Sequence, residues 1–231
     1  MSIYRRRLMI ANALKKSDSN INYPNLIAAW SAAGKSNDDE DRATLKDLTG
    51  KGHDITLNGF AFNTEGSGYG HPLYPDALVF DGVDDYGINE DMPMQTDYTI
   101  IVKRKVIKYN ATKQCGVITK RPSSAQLGAF WFERGGDTWS YGTQTNIEAI
   151  NNDITWQNKT SYNGTPIASG SSSDTNVIHI GRNYTGGSYF TSMAFYSAYL
   201  FDRSLDEQEI KSFIRKYIDA DYLLPSEQTT E

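Results

Sequence analysis

Leu78, Val79 and Phe80 form an apolar run that stops at Asp81-Gly82, and the apolar/polar alternation resumes at Tyr86 and Ile88. Asp-Gly between two β-prone stretches predicts a chain reversal, because glycine takes positive φ without steric cost. The gap within residues 77–88 is too long for a minimal hairpin and predicts a turn with a bulge. Similar short runs predict strands over residues 26–30, 55–62, 97–107, 115–120, 129–134, 138–141 and 177–182, with a last long one over 189–202. Two further stretches, 147–155 and 159–167, follow the same logic, and Asn163-Gly164 inside the second predicts a type I′ turn. The period changes after Asp202. Ile210, Phe213, Ile214 and Tyr217 fall at spacings of three and four, which predicts an amphipathic helix over residues 205–219. Ser204, with Glu207 three residues on, is its predicted capping box.

Composition narrows this to an all-β reading. The chain has 231 residues, with 15 Tyr, 9 Phe and 4 Trp, a content suited to one aromatic-rich β-sandwich. The single cysteine, Cys115, excludes an internal disulfide framework and reads as a small buried hydrophobe in a strand. Net charge is −5, but residues 1–16 hold five basic and no acidic side chains, so the rest carries −10. An acidic body argues against nucleic-acid binding. No apolar run reaches the length of a membrane span. The start is not read as a signal peptide, since its apolar part is only Leu8-Met9-Ile10 and Lys15-Lys16 follow. Tyr4, Leu8, Ala11 and Leu14 can share one face of a short helix, which packs either on its own domain or on a partner chain. Residues 17–24 are polar and turn-rich, as a linker is.

Two motifs carry a resemblance. Residues 47–59 read D-L-T-G-K-G-H-D-I-T-L-N-G and residues 77–88 read A-L-V-F-D-G-V-D-D-Y-G-I. Together with S-Y-N-G-T-P-I, V-I-H-I-G-R and R-S-L-D-E-Q-E-I, they resemble the concanavalin A-like, laminin-G-like domains over about residues 26–217. The resemblance implies a concanavalin A-like jelly-roll β-sandwich with one C-terminal amphipathic helix, preceded by a basic N-terminal arm. The organisation expected is arm and linker over 1–22, sandwich over 23–220 and a tail over 221–231.

The chemistry expected is binding, not catalysis. Glucanases of this fold place carboxylates as E-x-D-x-x-E along one strand, and that triplet is missing; Glu133 stands alone in F-W-F-E-R. His53, His71 and His179 have no metal-ligand spacing, and no metal or cofactor is expected. His53 reads as a turn residue bonded locally, and His179 as a satisfied strand residue. Asp38–Asp41 lacks an EF-hand's spaced oxygens and sixth-place glycine, so it reads as a solvated loop. Relatives that hold a structural calcium use an aspartate near the closing strand; Tyr196 stands in that place here, so the sequence does not support calcium. Asp47, Asp81, Asp84 and Asp85 read as turn formers. Sugars stack their C–H faces on aromatic rings. Tyr69, Tyr74 and Tyr184, in Gly/Pro-rich loops, are the expected exposed rings, while Trp131 and Trp139 serve either as ring platforms or as core.

The stretch from A-W-S-A-A-G-K-S through D-L-T-G-K-G-H-D, behind an initial Y-R-R-R-L-M, also resembles structural proteins of phages of gut Bacteroidales-type bacteria, the crAss-like phages among them. That resemblance implies a non-enzymatic virion surface protein, a head or tail fibre or decoration. Tyr4, Arg5, Arg6, Arg7, Leu8 and Leu14 would attach it to capsid or tail proteins. The sandwich would face outwards towards host or mucosal glycans, in a homo-oligomer with a trimer favoured. A free carbohydrate-binding lectin is the alternative, and a glycoside hydrolase comes third.

Overall fold

The computed structural model describes residues 21–108, 116–121, 131–132, 138–141, 144–148, 153–167, 175–187 and 189–227. In chain order the strands are β1 (Leu26–Ser31), β2 (Thr44–Leu45), β3 (Ile55–Asn58), β4 (Gly68–Tyr69), β5 (Leu78–Asp81), β6 (Tyr86–Asn89), β7 (Thr99–Lys108) and β8 (Ile118–Thr119). They continue as β9 (Trp131–Phe132), β10 (Thr138–Tyr141), β11 (Gln144–Glu148), β12 (Ile154–Asn158), β13 (Ser161–Tyr162), β14 (Thr165–Pro166), β15 (Ile178–Ile180) and β16 (Ser192–Phe201). Helix α1 (Glu207–Tyr217) follows, with a short 3-10 turn at Pro225–Glu227.

Two antiparallel sheets make the sandwich. The larger runs β14-β13-β12-β7-β16-β5-β4, with β1 also paired to β16, and the six-stranded sheet runs β2-β3-β6-β15-β8-β9. Between them lies one core, to which the larger sheet gives Trp30, Phe80, Ile100, Val102, Phe195 and Leu200. The six-stranded sheet gives Leu45, Ile55, Leu57, Ile118, Ile178 and Ile180. Strand β16 shows how register follows burial. Met193 and Phe195 face this core, a register shift falls between Phe195 and Ser197, and Ala198 and Leu200 then face it. The shift moves the inward positions from odd to even numbers, so ten residues keep an apolar inner side.

The 47–59 motif is a folding device. Asp47, 7% exposed, accepts hydrogen bonds from Ala29 N (3.2 Å), Thr49 N (3.0 Å), Thr49 Oγ1 (2.8 Å) and His53 N (3.1 Å). His53 O in turn accepts from Trp30 Nε1 at 2.7 Å. A buried carboxylate is tolerated because donors surround it, and this one closes the open edge of β1.

Several expectations are corrected. Residues 77–88 are not a bulged hairpin: β5 pairs with β4 and β16, and β6 pairs with β3 and β15, so the turn joins the two sheets. Asp85 sets this corner, accepting from Asp81 N at 2.9 Å and from Ser67 Oγ at 3.0 Å. Gly82 is obligatory there, with φ of 79° and Ser192 N only 3.0 Å from where a Cβ would stand. The strand expected over 55–62 ends at Asn58, because Gly59 turns the chain with φ of 85°, at a place where a Cβ would stand 2.4 Å from Asp84 O.

The capping box moves two residues on, to Asp206 and Glu209: Glu209 N donates to Asp206 Oδ1 at 2.8 Å, and Asp206 N to Glu209 Oε2 at 3.0 Å. Ser204 instead donates to Asp97 Oδ1 at 2.6 Å, tying the helix approach to the start of β7. The Asn163-Gly164 turn is as expected, with φ of 45° and 82°. Cys115 and residues 1–20, including Tyr4, Arg5, Arg6, Arg7, Leu8 and Leu14, lie outside the described residues.

Candidate functional site

Helix α1 closes part of the outer side of the larger sheet. Ile101, Ile154, Trp156, Tyr199 and Phe201 point away from the main core and are buried under Ile210, Phe213 and Ile214 of α1, with Ile218, Tyr222 and Leu224 beyond it. Tyr23 packs into the same cluster, edge-on to Phe213 with centroids 5.0 Å apart.

The outer side of the six-stranded sheet is different. Register lines up Thr44, Thr56, Ile88, His179, Thr119 and Trp131 across all six strands. On the first five of these strands the neighbours face the core, so Thr44, Thr56, Ile88, His179 and Thr119 lie on the far side. Thr56 is exposed, and Thr44 and Ile88 are half-buried. Thr119 and His179 are fully buried because residues 182–185 close over them. Thr119 Oγ1 donates to Arg182 O at 3.1 Å, and Thr185 Oγ1 meets His179 Nε2 at 3.3 Å. The face is thus an open floor ending in a ledge.

At the ledge, arginine and aromatic rings interleave. Arg182 Cζ lies 4.6 Å from the Tyr86 centroid and 5.9 Å from that of Phe190, and the two rings are 6.1 Å apart. Arg121 Cζ lies 5.2 Å from the Tyr184 centroid. Such cation–π contacts hold a guanidinium at a fixed orientation. Tyr86, Arg182, Tyr184 and Phe190 are all half-buried, so rings and charge both reach solvent. Beneath them burial, with Arg182 nearby, pushes the His179 imidazole down to about 4, so it is neutral at pH 7. His179 is only partly satisfied, because among the described residues its Nδ1 has no hydrogen-bond partner. The Asn183 amide is also buried, with no partner among the described residues at either Oδ1 or Nδ2.

The expected ring residues do not gather in one place. Tyr184 is on this ledge. Tyr69 is corrected: it is 1% exposed, its ring packs in the core and its hydroxyl donates to Arg42 O at 3.2 Å. Its loop folds inward because Asn37 clamps it, accepting from Tyr69 N at 2.7 Å and donating to Tyr69 O at 2.8 Å. Tyr74 is half-buried at the other sheet, its ring 4.9 Å from that of His71, near a 380 Å³ cleft lined by Lys35, His71, Pro75 and Asp76. Trp131 is in register with Thr119 and Trp139 with Ile147, but their side chains lie outside the described residues. Tyr86, Phe190 and Arg121 were not singled out from the sequence. The signal for Tyr86 was there: it alternates with Gly87, an inward position, and so faces outwards beside Ile88.

One acidic grouping stands out among the described residues. Carboxylate oxygens of Asp81, Asp84 and Asp85 lie within 4.8 Å of one another. Both Asp85 oxygens and Asp81 Oδ1 already accept hydrogen bonds, the last from Val83 N at 2.7 Å. They brace the inter-sheet corner and make a poor calcium cradle. Burial pushes the Asp85 carboxyl up to about 6.

No protein-family model and no curated protein matches the chain. Its fold is similar to a Trypanosoma rangeli sialidase, at 11% identity and a TM-score of 0.57, over 94% of this chain and 40% of that one. The same sialidase in complex with sialic acid matches at 11% identity and a TM-score of 0.55, over 94% of this chain and 38% of that one. Botulinum neurotoxin type C, described by its interaction with two ganglioside molecules, matches at 16% identity and a TM-score of 0.51, over 87% of this chain and 53% of that one. The chain therefore spans about two fifths of the sialidase. These likenesses define the class, a jelly-roll-like antiparallel β-sandwich.

Proposed function

We propose that this protein is a non-enzymatic carbohydrate-binding β-sandwich displayed on a phage virion, held by its N-terminal segment and presenting the open face of the six-stranded sheet. The observation that carries this reading is the inequality of the two outer faces. Residues 21–23 join the sandwich on the helix-covered side, where Ile21 N donates to Leu48 O and Tyr23 packs with α1. The aromatic and arginine ledge is on the opposite sheet. A tether on one side and a ring-bearing face on the other is the arrangement a display module needs. The basic residues Arg5, Arg6 and Arg7 suit an acidic capsid or tail protein, and a closed ring of copies, a trimer, suits a fibre. The ganglioside and sialic-acid ligands named for the similar structures are consistent with glycans as targets.

Two measurements test it on the full chain. Deleting residues 2–16 abolishes incorporation into particles, and a glycan array detects binding that Tyr184→Ala weakens. Unchanged incorporation after the deletion refutes the display reading, and an array blank at millimolar concentration refutes the carbohydrate reading.

A further inference from the structure

Arg182 is unusually well prepared. Its backbone is fixed by the bridge to Phe190 and by the Thr119 bond to its carbonyl, and Thr191 N donates to Gly181 O at 2.9 Å just before it. Its Nε–H donates to Gly187 O at 3.0 Å. The guanidinium therefore has its plane set by two rings and one edge spent on backbone. Its terminal nitrogens make the remaining edge, and among the described residues no carboxylate pairs with it. A guanidinium held this way is a preorganised two-pronged donor, the shape that matches one carboxylate. The surroundings reject a cruder explanation. The protein has net charge −5, and Asp84 is exposed on the corner two residues before Tyr86. Bulk attraction for polyanions is thus weak here, and discrimination falls to the fork itself.

We infer that the ligand of this face is a saccharide bearing a single carboxylate, a uronic- or sialic-type sugar, gripped by Arg182 while its ring lies against the Tyr86, Phe190 and Tyr184 side chains. The inference rests on the carbohydrate reading above. Arg121 Cζ lies 5.2 Å from the Tyr184 centroid in the same ledge.

Calorimetry on the full chain tests it, using a sialic-acid-terminated and a glucuronic-acid-terminated trisaccharide, each beside its carboxyl-reduced counterpart, with heparin as the polyanion. One acid is expected to bind at least about tenfold more tightly than its reduced form. Arg182→Gln is expected to erase that difference, so that acid and reduced forms bind alike, and Arg182→Lys, which keeps charge but not the fork, to restore little of it. Which acid shows the effect identifies the sugar. Equal affinity for acid and reduced forms overturns the inference while leaving the carbohydrate reading intact, and it needs no variant to fold. Full rescue by lysine, or preferential heparin binding independent of Arg182, also overturns it. Binding of no saccharide at all removes the carbohydrate reading and this inference with it.

Discussion

On its outer side the larger sheet carries Ile101, Trp156, Tyr199 and Phe201 and buries them under α1, whereas the six-stranded sheet carries Thr44, Thr56 and Ile88 in the matching position and leaves them wholly or partly open. Both sheets give their inner sides to the same core. The difference teaches that the part of one outer face under α1 supplies stability, whereas the open floor of the other keeps its side chains within reach of solvent, since a side chain already buried within the fold cannot also meet a ligand.

The sharpest way to break this comparison is to remove the centre of the closed face. Phe213 sits 5.0 Å from Phe201, 5.1 Å from Tyr199 and 4.8 Å from Tyr217, measured between ring centroids. Phe213→Ala is expected to cost about 3–5 kcal/mol in urea unfolding. A loss below about 1 kcal/mol would mean that α1 is an ornament and the two faces are equivalent.

The pH response sharpens the contrast, because it belongs to the six-stranded sheet and its corner. His179 has its folded pKa lowered from 6.5 to about 4. Its contribution is therefore full above pH 6.5 and lost as pH falls towards 4. Asp85 has its folded pKa raised from 3.8 to about 6, so its effect has the opposite sign: stability is greatest below pH 3.8 and declines as pH rises towards 6. Each effect is on the order of 2–3 kcal/mol, and in the wild type they largely offset one another. Asp85→Asn exposes the histidine, giving a protein that loses stability on acidification from pH 6.5. His179→Gln exposes the aspartate and loses stability on going from pH 4 to 6. Parallel pH–stability curves for the two variants would contradict the assignment. On the closed face, burial pushes the Tyr199 and Tyr222 hydroxyls up to about 12, so they stay silent over this range.

Smaller effects follow. Asp206→Ala removes the capping box and is expected to lower stability by about 1 kcal/mol, read as a shift in the unfolding midpoint. Ser204→Ala leaves helix capping intact and breaks only the bond to Asp97. Thr56→Ala, on the open floor, is expected to change stability by less than about 0.5 kcal/mol.

Much of this architecture was legible because its signals are local. The three- and four-residue spacing of Ile210, Phe213 and Ile214 determines a helix with one apolar side, and Asn163-Gly164 determines a tight turn, whatever surrounds them. The motif around Asp47 was legible as a motif, but that its carboxylate closes the edge of β1 was not, since Ala29 lies eighteen residues away.

What failed was non-local. Tyr69 sits in a Gly/Pro-rich loop of the kind that usually stays outside, yet Asn37, thirty-two residues away, draws it into the core. The turn after Phe80 has hairpin chemistry, and only the competition of β3, β4, β15 and β16 for partners sends its two arms to separate sheets. The ledge is of the same kind: Tyr86 comes from a strand, and Arg182 and Phe190 from the two sides of one bridge, and alternation can say that a side chain faces outwards without saying what lies beside it. The sequence by itself determined most of the longer strands, the helix, its apolar stripe and the Asn163-Gly164 turn, because backbone preference and hydrophobic period act within a few residues. Tertiary structure alone decided which face is covered and which groups meet there, because burial and register are settled by partners far away in the chain.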